Sequence, residues 1–290
     1  PEKHFYWEIG SFNAWDKVEY KFSFRSDEKE LIESENYTFE VLKEVKVSQV
    51  KEVILQGKVA ELVCSTEDNN DFGEFYFEFK DNGDFTIDIS ESKDEYKAIE
   101  TEVDVNLLED DEGYLFKWNE SELQVKKDDI RFIYKKSEEI LKFKTFSKWI
   151  NQNHKTIYIT TDLESNDEEK FYGFGERYNS LNQKGNSPDV YVYNQYKEQG
   201  LKTYMPIPFY ISSNNYGLFI ETSNYVKFDM SDTNDEISIT GELNSLRINV
   251  MAGEIKDVIQ KYSDITGKPK LLPKWAFGPW MSSNNWDSQK

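Results

Sequence analysis

Residues 75–90 read Phe-Tyr-Phe-Glu-Phe-Lys-Asp-Asn-Gly-Asp-Phe-Thr-Ile-Asp-Ile-Ser. Apolar and polar side chains alternate on both sides of Asn82-Gly83, and alternation with a period of two is typical of half-buried β-strands. Asn-Gly between two such runs is a strong hairpin signal, because a type I′ turn needs positive φ at both central residues. The stretch therefore predicts an antiparallel hairpin within a fold built from strands.

Much of the chain before residue 254 has the same texture. We predict further strands at 19–24, 37–47, 58–64, 114–118, 130–135 and 156–161. Acidic turn segments such as 65–71 and 163–169 separate them. Many short strands without intervening amphipathic helices favour a sandwich or barrel over a parallel α/β sheet. We therefore predict an all-β domain over residues 1–253.

The pattern changes in residues 254–273. Apolar residues fall at helical spacing at Ile255, Val258, Ile259, Tyr262 and Ile265. Gly267 is placed to cap this helix, and Pro269 and Pro273 favour an extended linker after it. The following run at 275–281, Trp-Ala-Phe-Gly-Pro-Trp-Met, predicts a buried strand. Residues 274–290 would then begin a second domain.

Charge and composition restrict the class of partner. The formal net charge is −20, from 55 acidic and 35 basic residues. Such a surface repels phosphate backbones and anionic lipid headgroups, so we expect neither a nucleic acid nor a membrane partner. Aromatic residues make up 16% of the chain, which suits strands or surfaces that stack on sugars.

Few residues are available for metal or nucleophilic chemistry. Cys64 is the only cysteine, and the two histidines, His4 and His154, are far apart in sequence. We expect no disulfide, no metal site, no cofactor and no Ser-His-Asp triad. Residues 71–74, Asp-Phe-Gly-Glu, are interpreted as a turn that leads into the hairpin, and not as a catalytic pair.

Two segments combine residues suited to a ligand site. Residues 171–178, Phe-Tyr-Gly-Phe-Gly-Glu-Arg-Tyr, predict a tight turn with positive φ and a local Glu176–Arg177 charged pair. Residues 191–197, Tyr-Val-Tyr-Asn-Gln-Tyr-Lys, place aromatics and amides together. Aromatic faces stack on sugar C–H groups and amides bind hydroxyls, although an aromatic-rich edge strand explains the composition equally well.

These segments resemble a known family when they are taken with three others. Residues 172–177 (Tyr-Gly-Phe-Gly-Glu-Arg), 207–212 (Ile-Pro-Phe-Tyr-Ile-Ser), 216–220 (Tyr-Gly-Leu-Phe-Ile) and 273–278 (Pro-Lys-Trp-Ala-Phe-Gly) are similar to the N-terminal region of glycoside hydrolase family 31. This family includes α-glucosidases, α-xylosidases and α-glucosyltransferases. The resemblance implies a galactose-mutarotase-like β-sandwich followed by a (β/α)₈ barrel, with 275–281 as the first barrel strand.

The resemblance also limits which residues can be assigned a role. Family members are retaining enzymes that use two Asp residues on later barrel strands. Those strands would lie beyond Lys290, so we assign no catalytic residue here. The end of the first barrel strand presents an aromatic residue to the sugar, which implies Trp286 with Asn284 and Asn285 beside it.

A sandwich loop covers the barrel mouth in this family, and the matching residues here are Gln195 and Tyr196. The family pattern in that loop has an acidic residue after Trp-Asn-Thr, whereas residues 193–196 are Tyr-Asn-Gln-Tyr. This departure indicates a different substrate preference. The ending at 280–286 is closer to bacterial members that transfer glucosyl or isomaltosyl units.

The leading hypothesis is the N-terminal part of an α-glucoside-active hydrolase or transglucosylase. Its expected partners are an α-glucoside or oligosaccharide substrate and the remainder of its own barrel. A free-standing carbohydrate-binding protein and a purely supporting sandwich remain open alternatives. The chain begins at Pro1 and shows no signal peptide, which leaves cytoplasmic and secreted locations open, with secretion favoured.

Overall fold

A computed structural model describes residues 11–25, 31–90, 103–127, 130–136, 138–194, 197–230, 235–242 and 244–280. The strands in the first half of the chain are β1 (Lys17–Tyr20), β2 (Ser23–Arg25), β3 (Leu31–Glu33), β4 (Tyr37–Glu40), β5 (Lys43–Lys46), β6 (Gln49–Gln56), β7 (Val59–Ser65), β8 (Asp71–Phe79), β9 (Phe85–Ser90), β10 (Asn106–Glu109), β11 (Gly113–Trp118), β12 (Ser121–Lys126), β13 (Phe132–Lys136) and β14 (Glu138–Ile150). The later elements are β15 (Thr156–Glu164), β16 (Phe171–Gly175), β17 (Pro206–Ser212), β18 (Tyr216–Ile220), β19 (Val226–Asp229), β20 (Glu236–Gly241), β21 (Leu246–Ala252) and helix α1 (Ile255–Thr266).

Two large sheets form the body of the protein. Sheet I has the strand order β10-β11-β12-β13-β14-β15-β20-β19, and β5 also pairs with β14. Sheet II has the order β16-β17-β18-β21-β9-β8-β7-β6. Two small pairs, β1–β4 and β2–β3, precede them along the chain. The prediction of an all-β sandwich is confirmed.

The hairpin at residues 75–90 is confirmed, and its turn is not of type I′. Strands β8 and β9 pair from Glu74–Ser90 to Phe79–Phe85. Within the five-residue connection only Gly83 has positive φ, at 86°. The Gly83 amide donates to the Lys80 carbonyl oxygen at 3.1 Å, which indicates a wider turn with glycine after its central pair. The extra length places Asp84 inside the protein.

Aromatic side chains fill the space between the sheets. The inward face of β8 carries Phe75, Phe77 and Phe79, all fully buried. The Phe75 ring lies 5.1 Å from the Phe146 ring of sheet I, and the Phe77 ring lies 4.9 Å from the Phe132 ring, with nearly perpendicular planes. Edge-to-face pairs of this kind stabilise a core beyond the area that they bury.

Helix α1 has the predicted bounds and packs on the outer face of sheet II. Gly267 has a φ of 99°, and its amide donates to the Ser263 carbonyl oxygen at 2.9 Å. Val258 is fully buried, and Tyr262 stacks on Phe209 of β17 at 4.1 Å between ring centroids. Within the part of the chain that the structure describes, no helix is long and apolar enough to cross a membrane.

The strand predicted at 275–281 is wrong over its described residues. Residues Lys274–Phe277 form a 3₁₀-helix, and the Gly278 amide donates to the Trp275 carbonyl oxygen. A strand needs a neighbour to pair with its amides and carbonyls, and no described strand lies beside this run. Trp275, Phe277 and Trp280 are instead 73%, 74% and 76% exposed.

We predict that the buried Asp84 carboxylate is a main connection between the hairpin and helix α1. It accepts hydrogen bonds from Lys261 Nζ at 2.7 Å and from the Ala252 amide at 3.0 Å. Asp84→Ala would remove the carboxylate that pairs with the partly buried Lys261 ammonium, which keeps its hydrogen bond to the Ala252 carbonyl oxygen, and would leave the Ala252 amide unpaired. We therefore expect the free energy of unfolding to fall by about 2–4 kcal/mol. Denaturant titration followed by tryptophan fluorescence measures this change.

Asp264→Ala is the matched control, because its pair with Lys268 is exposed on the same helix and exposed pairs contribute little. Its unfolding midpoint is expected to match that of the parent protein. Equal unfolding midpoints for both variants would show that the Asp84–Lys261 pair contributes no more to stability than the exposed Asp264–Lys268 pair.

Candidate functional site

The first five residues of the 171–178 segment form β16, a bulged strand at the edge of sheet II. Gly173, Phe174 and Gly175 all have positive φ, at 119°, 62° and 84°, and the register of β16 against β17 shifts at this point. A Cβ atom on Gly175 would lie 1.9 Å from the Met205 carbonyl oxygen. Phe174 is buried and stacks on Tyr210. The expected tight turn is therefore a β-bulge that aims the chain after Gly175 away from the sheet.

Arg177 binds three backbone carbonyl oxygens. Its Nε donates to Phe174 at 2.9 Å, one terminal nitrogen donates to Leu201 at 2.7 Å, and the other donates to Asp189 at 2.7 Å. Burial lowers the pKa of the guanidinium, and the nearby Asp189 carboxylate opposes this effect. The predicted Glu176–Arg177 pair is wrong, because the planar guanidinium turns inward to satisfy carbonyls of three separate segments.

Two of those carbonyls, at Asp189 and Leu201, belong to one connection, residues 176–205, which we call the 176–205 loop. The third, at Phe174, lies in β16 just before it. Arg177 therefore ties the start of the loop to its middle at Asp189 and to its end at Leu201. Each hydrogen bond from a charged donor contributes about 1.5–3 kcal/mol. The loop is anchored by these three bonds at positions that lie far apart in sequence.

A second set of contacts fixes the part of the loop next to residue 195. The Asp189 carboxylate accepts hydrogen bonds from Tyr193 at 2.6 Å and Tyr225 at 3.5 Å. Burial, and then the hydrogen bond to Asp189, raises the pKa of the Tyr193 hydroxyl, so this tyrosine stays protonated and donates. Tyr204 donates to the Asn194 side chain at 2.7 Å. Asp189 was not singled out from the sequence, and its position just before an aromatic run was the only local signal.

The loop exposes several aromatic and apolar side chains among its exposed polar ones. Tyr178, Tyr191, Val192 and Met205 are all exposed. The alternative interpretation of 191–197 as an edge strand is not what the described residues show, because Val192 and Asp189 form only isolated bridges. The loop thus presents aromatic and apolar groups to the outside while its polar groups hold it together from within.

The residues assigned to the sugar from the sequence lie outside the described residues. They are Gln195, Tyr196, Asn284, Asn285 and Trp286. The structure places their described neighbours, Asn194 and Trp280, and does not test whether the five side chains meet.

Metal and thiol chemistry find no support in the described ranges. No group of three or more His, Cys, Asp or Glu side chains there is arranged to hold a metal ion. Cys64 is buried, and burial, followed by the charge of Asp71, raises the pKa of its thiol to about 12. A thiol with such a pKa remains protonated and unreactive near neutral pH.

Comparison with known proteins identifies the family. The model of the glycosyl hydrolase 31 N-terminal galactose mutarotase-like domain matches residues 44–229. The isomaltosyltransferase of Sporosarcina globispora is 44% identical over 128 residues, which are 42% of this chain and 12% of that protein. The α-xylosidase XylQ of Lactiplantibacillus pentosus is 36% identical over 137 residues, or 46% of this chain and 18% of that protein.

A solved structure has the same architecture over nearly the whole chain. The cycloalternan-forming enzyme from Listeria monocytogenes, in complex with a pentasaccharide substrate, superposes with a TM-score of 0.79 at 26% identity, covering 96% of this chain and 28% of that one. This chain thus spans less than a third of each of these proteins. The chain belongs to glycosyl hydrolase family 31, and residues 44–229 match the family's N-terminal galactose mutarotase-like domain.

Proposed function

We propose that the whole protein is a retaining α-glucoside-active hydrolase or transglucosylase. In this proposal residues 1–253 form its N-terminal sandwich, 254–273 form a closing helix and linker, and 274–290 begin its catalytic barrel. The similarity to an isomaltosyltransferase, an α-xylosidase and a cycloalternan-forming enzyme supports this activity. The two catalytic carboxylates would belong to the barrel, where a spacing of about 5–5.5 Å gives retention.

One structural observation carries the proposal that a barrel packs on this chain. Leu271, Trp275, Phe277 and Trp280 are strongly exposed. They follow helix α1, whose Ile255 is exposed as well. Large contiguous apolar patches on a soluble protein usually mark a surface that another part covers. We propose that the barrel of the same protein covers this one.

The chain's own contribution to the reaction is to bind and orient the sugar. Trp286 would stack on a sugar ring near the cleavage point, and Asn284 and Asn285 would bind its hydroxyls. Gln195 and Tyr196 would shape the acceptor side. Their positions would depend on the Arg177 contacts described above. The alternative of a free-standing carbohydrate-binding protein is not favoured, since the matched relatives are enzymes.

We expect Trp286→Ala, made in the protein extended by its barrel, to weaken the binding of an α-linked oligosaccharide. Loss of one stacking surface is expected to raise KM about tenfold, equivalent to about 1.4 kcal/mol. Initial-rate kinetics with maltose and isomaltose measure the change. Trp118→Phe, in the buried core, is the control for general destabilisation. An unchanged KM in Trp286→Ala would show that the sandwich side only supports the barrel.

We expect Arg177→Lys to loosen the 176–205 loop, because an ammonium cannot reach three carbonyl oxygens at once. Chymotrypsin should then cleave this chain faster within residues 191–204, and KM in the extended protein should rise while the fold is retained. Arg131→Lys, at an exposed position just before β13, is the matched control. Identical cleavage rates for the two variants would contradict the assigned role.

A further inference from the structure

One end of the sandwich opens into a cleft of about 610 Å³. Its walls come from β5, from the end of β14, from the turn between β14 and β15, and from the connection between β7 and β8. The size is in the range of small-molecule sites, about 300–1,000 Å³. No described residue of the 176–205 loop lines it.

The inner part of the cleft contains a lysine at a position that faces the core. Lys148 lies opposite Ile159 on one neighbouring strand and Val45 on the other, and directly opposed residues point to the same face of a sheet. Ile159 is fully buried and Val45 packs on the core. Lys148 is itself only 5% exposed. Lysine is rarely buried in such a place unless its ammonium group has partners.

An aromatic ring lies beside this ammonium group. Lys148 Nζ donates to the Phe72 carbonyl oxygen at 2.8 Å and lies 5.0 Å from the centroid of the Phe72 ring. Both residues line the cleft. Phe75 stacks on the Phe72 ring at 5.9 Å between centroids, and Phe72 is only 4% exposed. Lys148 and Phe72 therefore close the inner end of the cleft, and a ligand would contact the rim.

The rim adds a second aromatic group and an amide. His154 lines the cleft in the turn between β14 and β15, and its ring contacts the exposed Trp15 at 5.8 Å between centroids. Lys43 Nζ lies 5.7 Å from the centroid of the Trp15 ring. Asn70 lies on the opposite rim, where its backbone, and not its amide side chain, makes the turn contacts with Thr66.

The charges of the lining select the class of ligand. Lysines and carboxylates both line the cleft, namely Lys43, Lys46 and Lys148 against Glu44, Glu67, Asp68 and Asp71. The two signs nearly balance, so the cleft does not favour an anion over a neutral molecule. Ammonium groups donate to hydroxyls and carboxylates accept from them. A neutral polyhydroxylated ring fits this lining best.

We propose that this cleft is a sugar-binding site for a glucosyl unit or a short α-glucan, separate from the described residues of the 176–205 loop. The choice of an α-glucan among neutral sugars rests on the proposed function. The site would keep a substrate chain or a product bound to the sandwich.

Isothermal titration of the 290-residue chain with maltotriose and with isomaltotriose tests the proposal. The double variant Lys43→Ala/Asn70→Ala changes only rim side chains and is expected to weaken binding about tenfold or more. Lys256→Ala/Asn224→Ala is the matched control at exposed positions away from the cleft. This control and Trp286→Ala should both bind as the parent chain does.

Three results would overturn the proposal: no binding of either sugar by the folded chain, equal binding by the rim variant, or loss of binding in Trp286→Ala alone. Tighter binding of inorganic phosphate than of sugar would overturn the ligand class. Turnover of α-glucosides by the extended protein is read separately. If that turnover is present while the rim variant binds normally, only the cleft proposal fails.

Discussion

The packing of aromatic rings between the two sheets is the interaction on which the rest of the structure depends. Phe75 and Phe77 of sheet II meet Phe146 and Phe132 of sheet I at 5.1 and 4.9 Å between centroids. These contacts hold the sheets face to face, and the loops at both ends of the sandwich are placed by strands that end in this core. Functional groups on loops are positioned by such a rigid body. Without it, neither the 176–205 loop nor the cleft would have a fixed shape.

Three polar contacts then connect the core to the surfaces that face partners. Asp84 joins the hairpin to helix α1 through Lys261. Arg177 holds the 176–205 loop through backbone carbonyls. Lys148 lies at the inner end of the cleft, next to Phe72. Each is a charged group with little exposure that hydrogen-bonds to a group distant in sequence, and buried charges are retained only where such partners satisfy them. The three therefore mark where the sandwich departs from a purely apolar design.

Patterns among residues close together in sequence predicted the hairpin at 75–90 and helix α1 well. The spacing of apolar residues and the capping residues that define such elements are read from neighbouring positions along the chain. These local patterns failed where a side chain binds a group that is distant in sequence. The turn at Asn82-Gly83 is widened by Asp84, which pairs with Lys261. Arg177 donates to the carbonyl oxygens of Asp189 and Leu201 and not to the adjacent Glu176. The residues proposed to contact the sugar came from the family resemblance, and they lie outside the described residues.

We propose that a family 31 sandwich, an exposed apolar end and an anchored loop together form one wall of an α-glucoside site. The central claim of this proposal is retaining chemistry on an α-linked sugar by the protein extended through its barrel. Proton NMR of the first product formed from an α-glucoside tests this claim most directly. The account predicts that the α-anomer appears first and then equilibrates with the β-anomer. Initial appearance of the β-anomer, or no turnover of any α-linked glucoside or xyloside, would contradict it.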